Sequence, residues 1–303
     1  MNRNDEAEAE ARRRMEVDPV SPASYTTLAL ALAQARRLNE ALRVIAEGLE
    51  IDSSYRFLYE YEAMIHWLRW DWERAETALE RFLEAGSHPV NRPLYFGLHL
   101  LYLGRISDSL AQFERMEAFG MGDRRMRLAH GLALYHARQY EQVLHLTNEL
   151  LAADSFGIPY AGQSWLHLLQ GLALERLQDD ERARSSLRKA RDGLPEWVYF
   201  TYSRGPILAS TAEALIQIRS GDAAGSRQAI QRLARRSHEN EAASALAVLH
   251  FHLGQTNDGF GWLETALDHH DAFLLTIKTH PWFDPVRGDP RFSSILQRMN
   301  LAK

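Results

Sequence analysis

Five histidines crowd the C-terminal end of the chain: His250, His252, His269, His270 and His280. Imidazole suits Zn, Ni and Cu, so a metal site is the first chemistry to weigh. The spacing argues against it. His250 and His252 are two apart, and on a helix such residues face different ways. His269 and His270 are adjacent and diverge as well. Close by, Asp284, Arg287, Asp289 and Arg291 form a charged cluster inside "FDPVRGDPRF". Asp before Pro favours turns, and Asp289 is placed to cap a helix beginning at Pro290. The stretch "GQTNDGFG" (254–261) has glycines but lacks the Lys-Ser/Thr that a phosphate loop needs. There is no His-Glu-x-x-His and no Gly-x-Ser-x-Gly. The paired carboxylates Asp179 and Asp180 fall at a turn, where solvated charge is expected. Three tryptophans, Trp67, Trp70 and Trp72, raise the idea of an aromatic cage.

Composition narrows the field. The chain has 303 residues, 46% hydrophobic, with a formal net charge of −5. That supports a sizeable core and argues against disorder. A nucleic-acid binder is expected to show a basic patch or a high pI, and the pI here is about 6.2. Lysine occurs only at 189, 278 and 303, so the positive charge is nearly all Arg; this reads as a GC-rich, bacterial genome. The absence of cysteine removes disulfides, thiolate metal sites and Cys nucleophiles. "MNRNDEAEAEARRRMEVDP" has no apolar leader core, and no run of 18 apolar residues exists. A cytoplasmic protein without a membrane span is the expectation.

The elements that must position any site come from an internal repeat. Ala29 steps by 34 residues to Ala63, Gly97 and Gly131, then recurs at Gly171, Ala214 and Ala247. Ala41 steps likewise to Ala75, Ser109 and Val143, and Ile45 to Leu79, Phe113 and Thr147. The later second-helix sites are Ala183, Leu187 and Ala190, then Gly259, Leu263 and Ala266. Short turns, with Gly at 104, 221 and 254, separate paired amphipathic runs. Antiparallel helices pack about 8–10 Å apart, and Ala or Gly at the crossing permits the close end of that range. One hairpin cannot bury its own faces, so neighbours must stack. Val143 and Thr147 make the fourth unit the least regular, with Ser226 doing the same for the sixth. Two insertions break the period: 154–164, and 192–206 with Trp197, Tyr199, Phe200 and Tyr202.

On this period and these residues the chain resembles the tetratricopeptide repeat family over about residues 22–270. The implied fold is all-α: a right-handed α-solenoid of about seven helix–turn–helix repeats plus N- and C-terminal capping helices. Units are placed near 22–53, 56–87, 90–121, 124–155, 164–195, 207–238 and 240–271, within a 21–271 superhelix. Residues 1–20 form a capping half-repeat and 272–303 a capping segment. The ending is similar to that of many bacterial members, which implies that Phe283, Phe292 and Leu296 seal the last hairpin while Arg287 bonds the turn. In the "WDWERA" register, Trp72 packs the second helix, Trp70 stands where Gly is common, and Trp67 faces the groove.

The resemblance further implies a concave groove lined by first helices. In register its wall comprises Phe57, Met64, Trp67 and Leu68, then Leu94, Leu98, Leu101 and Tyr102. Arg125, Leu128, Leu132, Tyr135 and His136 follow, then Trp165, Leu168 and Arg176. Some of these must pack on the next unit. The sites where chaperone-tail binders carry Lys and Asn hold Thr26, Leu30, Glu60 and Met64 here, so that clamp is missing. The expected function is a non-catalytic scaffold or adaptor, without cofactor or metal, that grips an apolar or aromatic segment of a protein partner. It is expected to bind no nucleic acid. A large apolar face would also fit a homodimer. The alternatives are an accessory subunit of an enzyme, a repeat protein for a small ligand or metal, and a regulatory sensor acting in trans.

Overall fold

The computed structural model describes residues 3–86, 91–118, 124–153, 160–194, 205–236 and 242–302. The insertion aromatics Trp197, Tyr199, Phe200 and Tyr202 lie outside the described residues. The chain divides into two compact units, Met1–His99 and Leu100–Ala302. Every regular element among the described residues is helical.

The first unit contains α1 (Arg3–Val17), α2 (Pro22–Gln34), α3 (Leu38–Ile51), α4 (Arg56–Leu68), α5 (Trp72–Glu84) and most of α6 (Asn91–Tyr102). Pro22 opens α2 at a position where its missing N–H costs nothing. Helix α1 packs on α2, α2 on both α3 and α4, and α4 on α5. Arg37 ties the base of α3 back to α1 through both oxygens of Glu8, at 2.6 and 2.7 Å.

The second unit continues the hairpins as α7 (Ile106–Ala118) with α8 (Arg124–His136), α9 (Tyr140–Ala152), α10 (Tyr160–Arg176), α11 (Asp180–Gly193), α12 (Gly205–Arg219), α13 (Ala223–Ala234), α14 (Ala242–His252) and α15 (Thr256–Asp268). Two 3-10 helices follow, Ala272–Thr276 and Pro281–Val286, before α16 (Pro290–Arg298). Each first helix packs on its own second helix and on the first helix of the next hairpin, α8 on α10, α10 on α12 and α12 on α14.

Small residues sit where these helices cross. Ala29, Ala63, Ala214 and Ala247 are buried, as are Ala41, Ala75, Ser109, Val143 and Ala183 on the second helices. A Cβ on Gly131 would stand 2.6 Å from Leu169, and one on Gly171 would stand 2.7 Å from Leu187. Thr147, the odd residue of the fourth hairpin, is buried and its hydroxyl donates to the Val143 carbonyl at 2.9 Å. The hydroxyl is thereby satisfied and the methyl can pack.

All seven interhelical turns are one device. The residue seven places after the small site has positive φ in every hairpin: Arg36 (60°), Trp70 (59°), Gly104 (80°), Arg138 (63°), Gln178 (62°), Gly221 (74°) and Gly254 (73°). The next residue's N–H returns to a carbonyl five residues earlier, as in Asp71 to His66 at 3.0 Å and Asp222 to Gln217 at 2.9 Å. This is the Schellman closure of a first helix. Asp71, Asp179 and Asp222 then start the following helix by accepting from its third backbone N–H. Four of the seven turns hold a side chain in a conformation that glycine adopts freely.

Candidate functional site

The tryptophan triplet resolves into packing. Trp67 is buried, and its Nε1–H donates to His99 Nδ1 at 2.9 Å, which places the His99 proton on Nε2. Trp72 meets the same imidazole edge-on. Trp70 is half-buried at the left-handed turn position. The expected groove-facing role of Trp67 therefore gives way to an interior one, because its indole fills the space between α4 and α6.

The same holds for much of the expected wall. In the first unit Met64, Leu94 and Leu98 are buried, while Phe57 remains 38% exposed. In the second unit Leu101, Tyr102, Tyr135, His136 and Leu168 are buried. Leu128, Trp165 and Arg176 are half-buried and Arg125 is exposed. The physical reason is that a first helix packs on two neighbours at once, which consumes most of its apolar perimeter. Phe57, Arg125 and Trp165 share one position, six residues before the small site and in the first turn or so of the helix, where the perimeter opens.

A different row carries the polar chemistry of the second unit. Five residues after the small site stand His136, Arg176, Arg219 and His252, at the C-terminal ends of α8, α10, α12 and α14. In earlier hairpins the same position holds Gln34, Leu68 and Tyr102. The chain's own residues 272–287 are folded back over this row. Thr279 Oγ1 lies 2.9 Å from His136 Nδ1, and the His280 ring is 5.2 Å from that of His136. Asp284 accepts from Arg138 at 2.8 Å and from Arg287 at 2.7 Å. Arg287 also donates to the carbonyls of Lys278 and His280. The expectation that Arg287 bonds the turn is met at these atoms.

Trp282 is the centre of the folded-back segment. It is fully buried, its Nε1–H points to Glu175 Oε2 at 3.4 Å, and its carbonyl accepts from His252 Nε2 at 3.0 Å. His280 Nδ1 accepts the Trp282 backbone N–H at 3.2 Å and so caps the 3-10 helix that follows. Phe273, Trp282, Phe283, Phe292 and Phe251 form a continuous ring cluster around it. Phe283 and Phe292 close the last hairpin, but the second buried residue of α16 is Ile295, and Leu296 is half-buried. The Asp289 cap at Arg291, 2.9 Å, sets that helical phase.

Burial governs the electrostatics. His136 is driven down to about 3 by desolvation, partly offset by its bond to Thr279. His280 lies well below the ordinary histidine range for the same reason, reinforced by His136 and by Arg176, Arg287 and Arg138. Desolvation also lowers His252. Burial raises the Tyr135 phenol, and the Glu175 charge raises it further. The Tyr135 hydroxyl has no protein hydrogen-bond partner. Glu175, 1% exposed, accepts from Arg219 at 2.8 Å, and Arg219 is also bonded to Asp180.

The other expected site chemistry is dispersed. His250 bonds Gln255 at 2.7 Å, and His252 and His280 serve the Trp282 segment. Among the described residues no three His, Asp or Glu side chains are grouped to hold a metal. Arg291 lies over the Phe260 ring at 4.1 Å and bonds Asp289. A cavity of about 270 Å³ opens between α10, α12 and α14, lined by Glu175, Arg176, Gln178, Leu215, Ile218, Arg219 and His252. Of its lining, sequence reasoning named Arg176 as a groove residue and His252 as a metal candidate, and missed Arg219 and Glu175. Stepping the repeat five residues past the small site would have aligned Arg219 and His252 with Arg176.

These features define a class, a TPR-like all-α repeat fold built from stacked helix hairpins. The comparisons give that class its known neighbours. No family model matches the chain. Anaphase-promoting complex subunit 3 of Schizosaccharomyces pombe is 21% identical over 146 residues, 48% of this chain and 22% of that protein. The chain thus spans a minor part of the length of that relative. The APC/C hetero-tetramer Cut9–Hcn1 aligns with a TM-score of 0.59 and 14% identity, over 80% of this chain and 45% of that one. PilW, a type IV pilus biogenesis factor, aligns with a TM-score of 0.51 and 15% identity, over 73% of this chain and 96% of that one. At this identity the likeness is one of fold. No helix among the described residues is long and apolar enough to cross a membrane.

Proposed function

We propose that the chain is a non-catalytic interaction scaffold that takes an apolar or aromatic segment of a partner protein. The observation that supports this most is the seating of residues 279–284 on the hairpin ends of the second unit. Rings pack against rings, and a backbone carbonyl, an indole N–H and a carboxylate each find a fixed partner. Ring anchors in pockets with directed main-chain bonds are the means by which extended segments are recognised. A surface of this make, already fitted to one aromatic segment, has the chemistry to hold another. The partner's contacts fall to the exposed and half-buried wall residues of the second unit, Arg125, Leu128 and Trp165. Glu175 is tied to Arg219 and Trp282. The matched relatives include parts of multi-protein assemblies, in keeping with a scaffold. A bacterial, cytoplasmic setting fits the Arg-for-Lys usage.

Selection of random peptides displayed on phage against the purified chain tests the reading. The expected result is enrichment of sequences carrying a large aromatic or apolar anchor, lost when Leu128 and Trp165 are both replaced by Ala. Thermal melting of the double variant checks its fold. Failure to enrich any sequence, or enrichment of purely charged peptides, overturns the proposal.

A further inference from the structure

The cavity between α10, α12 and α14 has features that the scaffold reading does not use. Its volume of about 270 Å³ lies below the roughly 300–1,000 Å³ of drug-sized sites, so it suits a small group and not a nucleotide or a folded peptide. Its lining is split. Leu215 and Ile218, from α12, form an aliphatic wall, and Arg176, Arg219, Glu175, Gln178 and His252 supply polar groups.

The two arginines are not equivalent. Arg219 is consumed, with one arm on Glu175 at 2.8 Å and another on Asp180. Arg176 reaches Glu175 only at 4.0 Å and is hydrogen-bonded to Tyr140, and its Nε–H is buried without an acceptor among the described residues. Glu175 in turn has both oxygens occupied, by Arg219 and by the Trp282 indole. The guanidinium of Arg176 is therefore the cation with hydrogen-bonding capacity to spare. His252 adds no donor, because its Nε2–H is committed to the Trp282 carbonyl and burial favours the neutral ring. One under-committed guanidinium beside a fixed carboxylate matches a single negative charge. A phosphate dianion would meet Glu175 as a like charge with Arg176 alone to offset it.

We propose that this cavity binds a monocarboxylate with a short aliphatic tail, its carboxylate on Arg176 and its tail against Leu215 and Ile218. Guanidinium and carboxylate match as a planar, hydrogen-bonded pair. The carboxylate has two sources, a free small acid or the C-terminal end of a peptide chain, and the chemistry at Arg176 is the same for both.

Calorimetric titration of the full chain tests this, with hexanoate, acetyl-Gly-Leu as the free acid, acetyl-Gly-Leu amide and inorganic phosphate as probes. One-site binding of hexanoate, weakened at least tenfold by Arg176→Gln, supports the site and assigns a free acid. Binding of the dipeptide acid but not its amide, with hexanoate much weaker, supports it and assigns a chain end. Ile218→Phe, which fills the cavity and leaves every charge in place, is expected to weaken either ligand by a similar factor and carries the test if Arg176→Gln does not fold. The proposal is overturned if neither acid binds, if phosphate or the amide binds as well as the acids, or if affinity survives substitution in a folded variant.

Discussion

In the first unit four side-chain hydrogen bonds between described residues each span about one repeat: Arg37 to Glu8, Arg56 to the Gly86 carbonyl, Trp67 to His99 and Tyr95 to Glu60, separations of 29 to 35 residues. In the second unit Trp282 reaches back 107 residues to Glu175, Thr279 reaches 143 to His136, and Asp284 reaches 146 to Arg138. The difference is one of kind. Nearest-neighbour stacking makes stability a sum of local terms. A segment that returns across several hairpins closes a long loop, at a loop-closure cost that grows slowly with length, and couples hairpins far apart in the sequence. The second unit is thereby expected to unfold more cooperatively than a plain stack of its hairpins would.

The largest expected effect breaks that cross-tie. Trp282→Ala removes a fully buried indole, with an expected loss of about 3–5 kcal/mol. It also leaves Glu175 with one donor fewer. Trp67→Ala should cost a similar amount, so the distinguishing readout is location. Hydrogen exchange followed by mass spectrometry is expected to show loosened amides in α8, α10 and α14 for Trp282→Ala, and in α4 to α6 alone for Trp67→Ala. Protection changes confined to residues 272–302 in the Trp282 variant would show that the folded-back segment stabilises nothing but itself.

The contrast also explains what could be read without coordinates. The repeat, its small sites and its Gly turns were legible because they obey a period, and a period is a local property. Trp72 and the Asp289 cap were legible for the same reason. The register alone puts Trp67 and Tyr102 on the groove-wall face of their first helices, whereas packing on two neighbours hides both rings. Leu296 is expected to seal the last hairpin, yet Ile295, three residues after Phe292 on the same helix face, is the one buried beside it. The return of residues 272–287 onto His136, Arg138 and Glu175 carries no periodic mark. Its hints were chemical: His and Arg at the ends of first helices where earlier hairpins hold Gln, Leu and Tyr.

An intermediate effect follows from protonation. His136 and His280 titrate below the ordinary histidine value when folded, both chiefly through burial. An unfolded histidine has a pKa of about 6.5. Below that pH the unfolded chain binds more protons than the folded one, so stability is full above about 6.5 and falls as pH decreases toward the folded values. The slope contributed is up to about 1.4 kcal/mol per pH unit for each histidine. Urea midpoints between pH 7.5 and 4.5 should drop for the native chain, and the drop should lessen by up to one proton's slope in His136→Gln. An unchanged slope in that variant would mean His136 is not buried in its neutral form by the returning segment.

The smallest effect sharpens the comparison most, because it uses one turn position in two settings. Gly221 and Gly104 occupy the same left-handed place, at φ 74° and 80°. A Cβ on Gly221 would meet nothing within 4 Å, while one on Gly104 would stand 2.7 Å from Lys278 Cδ on the returning segment. Gly221→Ala thus reports the backbone penalty alone, about 1 kcal/mol. Gly104→Ala carries the same penalty plus displacement of a flexible lysine stem, an excess on the order of 0.5–1 kcal/mol as for mild overpacking. Adding Lys278→Ala should remove the excess and leave the backbone penalty, a non-additivity that a double-mutant cycle isolates. Equal losses for the two glycine variants would mean that the Lys278 stem yields without cost, and that the tie between the third hairpin and the C-terminal segment is carried by other atoms.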